Sequence, residues 1–150
     1  MISAGISDEI LSARVAALTT AAAIDRQEVR IGVDVVDISR FERQLRSRGG
    51  QAMVATRFTD HERHYCERRP DRLAARWAAK EAVAKAIGTG FRGLRPSDIE
   101  IIHHLNGQPA VSVPVGVTWP NDAHRWYWSV SLCHEGDRAV AVAVAVIPII

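Results

Sequence analysis

Residues 138–147, RAVAVAVAVI, alternate alanine and valine almost without interruption. Side chains on a strand point to opposite faces in turn, so one face of this segment carries only methyl groups and the other carries branched chains. A methyl-lined face lets a second backbone approach closely and suits packing against a helix. Such a helix lies upstream. LAARWAAKEAVAKAI, opened by Pro70 or Asp71 and closed by Gly88, has proline where a first turn tolerates it and glycine where a left-handed stop is needed. Ala75, Ala79, Ala82 and Ala86 share one side of this helix, the side expected to lie on a sheet. Leu73, Trp77, Lys80, Glu81, Ala84 and Ile87 share the other, so two charges fall among the large apolar groups.

The remaining elements follow from local signals. Val29 to Val36 (VRIGVDVV) is β-branched and predicts a strand. Ile38, Phe41 and Leu45 predict a helix over 38–46, with Asp37 placed to cap it. Gly49-Gly50 breaks the chain, and Thr59 three residues before Glu62 is a capping box for a further helix. Asn106-Gly107 joins Ile99–His104 to Pro109–Val115 as a hairpin. Glu135-Gly136-Asp137 joins Trp126–Cys133 to Ala139–Ile147 as a second. Met1 to about Glu28 stands apart, either as a short helix through Ile10, Ala13 and Leu18 or as a leader without order. Mixed helices and antiparallel hairpins predict an α+β fold.

A chain of 150 residues holds one domain and one modest core, and 47% hydrophobic with 24% charged residues excludes wholesale disorder. The net charge of +2 is too small to argue for nucleic acid. Basic residues do concentrate between Arg57 and Lys85, either to meet phosphates or an acidic partner or as a solvated helix face. Cys66 and Cys133 lack zinc-site spacing and form no disulfide framework. Asp8, Glu9 and Arg14 interrupt any signal-peptide core, and the apolar run from Ala139 is about half a membrane span. A cytoplasmic, reduced protein that binds no membrane is expected.

Two carboxylates draw attention. Asp34 sits inside a β-branched strand without a local partner; it either binds a cation or pairs, or else faces solvent near the strand end. Glu81 stands four residues before Lys85, a pair worth ~0.3 kcal/mol as a helix stabiliser, or it is a functional carboxylate. His134, between a strand and a turn, could donate to a phosphate or exchange a proton, or be held by a neighbour. Adjacent His103 and His104 point to opposite faces and cannot share a metal in the usual way. Gly88-Thr89-Gly90 is either a ligand-approach loop or an ordinary helix stop.

Taken in order, IGVDVVDISRFER, RFTDHER, ARWAAKEAVAKAIGTG with DIEI, NGQP and VSLCH resemble the holo-(acyl-carrier-protein) synthase type of phosphopantetheinyl transferase. The segments span about Val29 to Val146, and the combination of G-V-D with W-x-x-K-E-x-x-x-K is the specific part. The resemblance implies the 4'-phosphopantetheinyl transferase fold, a mostly antiparallel sheet on a long helix, assembled as a homotrimer with active sites between protomers. Residues 1–28 would extend beyond the transferase domain of 29–150.

The family is similar in binding magnesium through a strand aspartate and a helix glutamate, which here match Asp34 and Glu81. Arg76, Lys85 and His134 match positions around coenzyme A phosphates, Gly88, Thr89 and Gly90 the loop against that ligand, and Arg40 a basic position facing an acidic apo carrier protein. The implied reaction is transfer of 4'-phosphopantetheine from coenzyme A to a carrier serine, releasing adenosine 3',5'-bisphosphate. Glu81, Lys85 and His134 are its expected catalytic groups, with Glu81 the candidate base. Two other readings are a non-catalytic coenzyme A or nucleotide-binding module on the same fold and an oligomeric scaffold using WPNDAHRWYW as a contact surface. The sequence departs from the family in three places: Cys133 precedes His134 where serine or threonine is usual, the two prolines of PVGVTWPNDAHRWYW replace a helical segment, and residues 1–28 are additional.

Overall fold

Residues 27–148 are described in a computed structural model of the chain. The expected N-terminal segment around Ile10–Leu18 lies outside the described residues. Strand β1 spans Glu28–Asp37. Four helices follow: α1 at Ile38–Arg46, α2 at Gly50–Arg57, α3 at Asp60–Cys66 and α4 at Pro70–Ile87. Strands β2 (Glu100–His103) and β3 (Pro109–Ser112) form the first hairpin. Strands β4 (Tyr127–Glu135) and β5 (Arg138–Ile147) form the second. The predicted turn at 135–137 is tighter than expected, because pairing reaches Glu135 and resumes at Arg138.

The main sheet has the order β1-β5-β4 and is antiparallel throughout. The alanine strand is thus central, and Ala139, Ala141, Ala143 and Ala145 are all buried beneath α4. Gly32 pairs with Ala143, and a Cβ there would overlap the Ala82 carbonyl of α4. Helix and sheet therefore meet at methyl and glycine contact, as the alternation predicts.

Helix ends behave as local chemistry dictates. The Asp37 carboxylate accepts from the Arg40 amide at 2.8 Å and caps α1. The capping box at α3 is complete, and α4 ends at Gly88 with φ of +93°. A hairpin residue locks the start of α1: Asp137 accepts from the Ile38 amide through its carbonyl and from the Ser39 amide through its side chain.

Two sequence expectations need correction. Helix α2 begins at Gly50 with Gly49 as its N-cap, where only a break is legible in the sequence. Lys80 and Glu81 do not share an environment. Lys80 is fully buried, and its ammonium meets Glu62 at 2.7 Å and the carbonyls of Pro96 and Ile99. Glu62 accepts in addition from the Thr59 and Ile101 amides, both at 2.9 Å. The residue that closes the capping box is therefore also the counter-ion of α4, tying α3, α4 and β2 together. Burial pulls the Lys80 ammonium below its ordinary value, and the Glu62 charge opposes that pull.

The segment with two prolines forms a short 3-10 turn at Pro120–Arg125 rather than an α-helix, with Asn121 and Asp122 left-handed. Trp119 anchors it by donating from Nε1 to the Asp98 carbonyl at 3.0 Å, and Trp128 donates to the Ala123 carbonyl at 2.9 Å. On the outer face of the sheet Val29, Ile31, Val33 and Val35 of β1 and Tyr127 of β4 stand exposed, beside the half-buried valines of β5. Among the described residues no helix is long and apolar enough to cross a membrane.

Candidate active site

Asp34 lies on the same face of β1 as Gly32, the face turned to α4, because strand side chains alternate. Glu81 is one position before Ala82, whose carbonyl sits over Gly32. The close approach of helix and strand thus brings the two carboxylates onto the wall of one cavity of about 370 Å³, lined also by Asp37, Arg40, Phe41, Gln44, Arg57 and Trp77. A larger hollow of about 820 Å³, between Leu45, Val54, His64 and Leu73, has a single carboxylate, Asp60, already engaged by Arg63. The smaller one, with its two facing carboxylates, is the candidate site.

Lys85 reaches back across the sheet edge. Its ammonium donates to Asp34 Oδ1 at 2.7 Å and to the Val33 carbonyl at 3.1 Å. The i,i+4 neighbour Glu81 is left without that hydrogen bond. Glu81 is half-buried, and its carboxyl is held above the usual carboxylate range, first by burial and then by the negative charge of Asp34. Lys85 and Arg57 pull it the other way. Asp34 is paired with Lys85, whereas Glu81 has no ion-pair partner among the described residues, which leaves this wall able to take a cation.

The donor set tests which cation fits. Asp34 and Glu81 offer hard oxygen atoms, and among the described residues no group of three or more His, Cys, Asp or Glu is placed to hold a metal ion together. A dedicated zinc or calcium cage is therefore absent from the described residues. Two carboxylates with open positions match an ion that keeps several waters and shares substrate phosphates, which is the habit of magnesium.

The other predicted residues lie in several places. Arg40 lines the cavity rim. Gly88, Thr89 and Gly90 follow the C-terminal end of α4, one turn beyond Lys85. His134 stands at the opposite end of α4, with its Nε2 3.9 Å from Asp71. Arg76 is buried on another side of the helix. Its Nη2 lies 3.0 Å from His103 Nδ1, its guanidinium is 4.3 Å from the Tyr65 ring centroid, and its Nε lacks a partner. Burial first, and then the Arg76 charge, push the His103 ring below its ordinary value. One chain thus brings together Asp34, Glu81, Lys85 and Arg40, but not His134 or Arg76. Sequence reasoning passed over Arg57 and Trp77 as cavity residues; their place depends on how α2 packs, and α2 has no legible apolar period.

The sequence profile of the 4'-phosphopantetheinyl transferase superfamily matches residues 30–145. The holo-[acyl-carrier-protein] synthase of Gloeobacter violaceus is 42% identical over 117 residues, covering 75% of this chain and 88% of that protein. The synthase of Desulforudis audaxviator is 44% identical, covering 79% and 92%. Among solved structures, the Neisseria meningitidis holo-[acyl-carrier-protein] synthase superposes with a TM-score of 0.69 at 34% identity, over 77% of this chain and 96% of that one. The Helicobacter pylori enzyme, solved in complex with coenzyme A, does so with a TM-score of 0.69 at 26% identity, over 77% and 98%. With its facing carboxylates, its helix-on-alanine-strand architecture and these relatives, the chain belongs to the 4'-phosphopantetheinyl transferase superfamily and is of the holo-[acyl-carrier-protein] synthase type.

Proposed function

We propose that the chain performs a magnesium-dependent transfer of 4'-phosphopantetheine from coenzyme A to a serine of an acidic carrier protein, releasing adenosine 3',5'-bisphosphate. The observation that supports this most is the pairing of Asp34 and Glu81 in one cavity, with the Lys85 ammonium fixed beside them. Asp34 and Glu81 would hold the ion. When bound, Mg2+ supplies charge neutralisation at the diphosphate and eases departure of the bisphosphate.

The chain's own residues account for the rest. Lys85 is positioned by Asp34 and the Val33 carbonyl, and meets phosphate oxygens where charge develops. Gly88, Thr89 and Gly90 let the donor lie close to the end of α4. Glu81 takes the serine proton as the serine oxygen bonds to the β-phosphorus, while the P–O bond to the bisphosphate breaks and that oxygen keeps the electron pair. Arg76 has no carboxylate partner among the described residues, and we assign it to a donor phosphate along with His134. Arg40, on the rim, faces the carrier.

Because His134 lies away from the cavity of its own chain, we place the complete site between copies in a homotrimer. The exposed apolar face of β1 supports that arrangement: Val29, Ile31, Val33 and Val35 retain 53–70% of their surface. Ile31→Glu at the centre of this face should convert three-chain particles to single chains in light scattering and remove most transfer activity. Trimers that persist with Ile31→Glu would rule out this face as the interface.

The function itself is tested by incubation with coenzyme A, Mg2+ and a panel of apo carriers, read by intact mass. A gain equal to one phosphopantetheine on at least one carrier is expected. No gain on any carrier would favour a non-catalytic coenzyme A-binding module.

A further inference from the structure

Arg57, the last residue of α2, has an unusual setting. Its guanidinium lies 4.2 Å from the centroid of the Trp77 ring, and Trp77 is in turn stacked on Phe91 at 5.5 Å. This cation–π contact holds the guanidinium at the cavity wall. Among the described residues Arg57 has no hydrogen bond and no ion pair. Partial burial pulls its pKa down, and the Glu81 charge opposes that pull. Five fixed N–H donors facing an open cavity seek an anion.

The geometry of the reaction decides which anion. Along α4, Trp77 lies one turn before Glu81 and Lys85 one turn after it. In-line phosphoryl transfer puts nucleophile and leaving group on opposite sides of the phosphorus. With Lys85 and the Gly88–Gly90 loop on the donor side, the acceptor must enter from the side of Trp77. Two cations, Arg40 and Arg57, line the cavity with Phe41, Gln44 and Trp77, and the Asp37 carboxylate on the same lining is already paired with Arg138 at 2.6 Å. The cations are complementary to an acidic partner.

We propose that Arg57, held over Trp77, is an acceptor-side docking residue that binds an acidic side chain of the incoming carrier protein. This rests on the transferase reading and deepens it. A preformed guanidinium loses little side-chain entropy on binding, so the contact should act on carrier affinity and association rather than on the chemical step.

The test compares wild type with Arg57→Gln, Arg57→Glu and Arg57→Lys, all assayed below the lowest melting temperature among them. Steady-state transfer gives KM for the apo carrier and kcat at saturating coenzyme A, and calorimetry gives the coenzyme A Kd. Arg57→Gln should raise carrier KM about fivefold and Arg57→Glu about thirtyfold, with coenzyme A Kd within about twofold in both. Arg57→Lys should recover most of the loss at low salt. Arg57→Glu should be partly rescued by a carrier with one acidic residue changed to lysine. An unchanged carrier KM in Arg57→Gln would overturn the proposal, and so would a coenzyme A Kd weakened as much as the carrier KM. A wild type that modifies no carrier sinks the transferase reading and this inference with it, an outcome seen before any variant is made.

Discussion

In urea titrations Lys80→Met should lower the unfolding free energy by about 3–5 kcal/mol, the usual cost of leaving one member of a buried ion pair behind. The reason lies in what Lys80 leaves. Glu62 has no exposed surface, and among the described residues its charge is matched only by the Lys80 ammonium 2.7 Å away. Without that ammonium the carboxylate keeps two amide donors but no counter-charge, and the carbonyls of Pro96 and Ile99 lose a donor. For a domain with a total stability on the order of 5–15 kcal/mol, such a loss reaches a large part of the whole. The double variant Glu62→Gln/Lys80→Met should lose clearly less than the sum of the two single variants, because neither charge is stranded. Additive losses, or a single-variant loss under about 1 kcal/mol, would show that the pair is hydrated in solution.

Asp34→Ala and Glu81→Ala should each reduce transfer by at least about a thousandfold while leaving the far-ultraviolet circular dichroism unchanged. Activity alone would not separate metal binding from other roles, so the melting temperature under Mg2+ titration is the second readout. Wild type should gain thermal stability as Mg2+ is added, by mass action, and neither variant should. In metal-free protein Glu81→Gln should be at least as stable as wild type. The sign follows from the raised carboxyl: between its ordinary and raised values the folded state holds the proton more tightly than the unfolded state, so wild-type stability falls as pH rises through that window. Glutamine has no such titration. Near-normal transfer by either alanine variant would remove the metal assignment.

What the sequence made legible was local. Asp37 caps α1, Thr59 and Glu62 close a capping box, Pro70 and Gly88 bracket α4, and Asn106-Gly107 turns a hairpin; each depends on a few adjacent residues. The alanine face of β5 was legible because a strand's period is fixed. The pairing of Lys80 with Glu62 was not, since nothing local links residues 18 positions apart. A cation among large apolar groups only signals that a buried anion must exist somewhere. Helix α2 escaped notice because GQAMVATR has two β-branched residues, a glycine and no apolar stripe; its place is set by packing. The Pro114–Arg125 segment departs from helix as its prolines suggest, but the left-handed Asn121 and Asp122 are held by tertiary anchors such as Trp119 to Asp98.

The approach of α4 to Gly32 and the alanines of β5 has a consequence for how such a protein can change. The gap between Asp34 and Glu81 is gauged by methyl groups and one missing side chain. In a saturation library, Gly32, Ala82, Ala141 and Ala143 should therefore accept almost nothing larger, whichever carrier is used for selection. The rim at Arg40, Gln44 and Arg57 has no such restriction. Variants with altered partner preference should accumulate there, leaving the spacing of the reactive pair untouched.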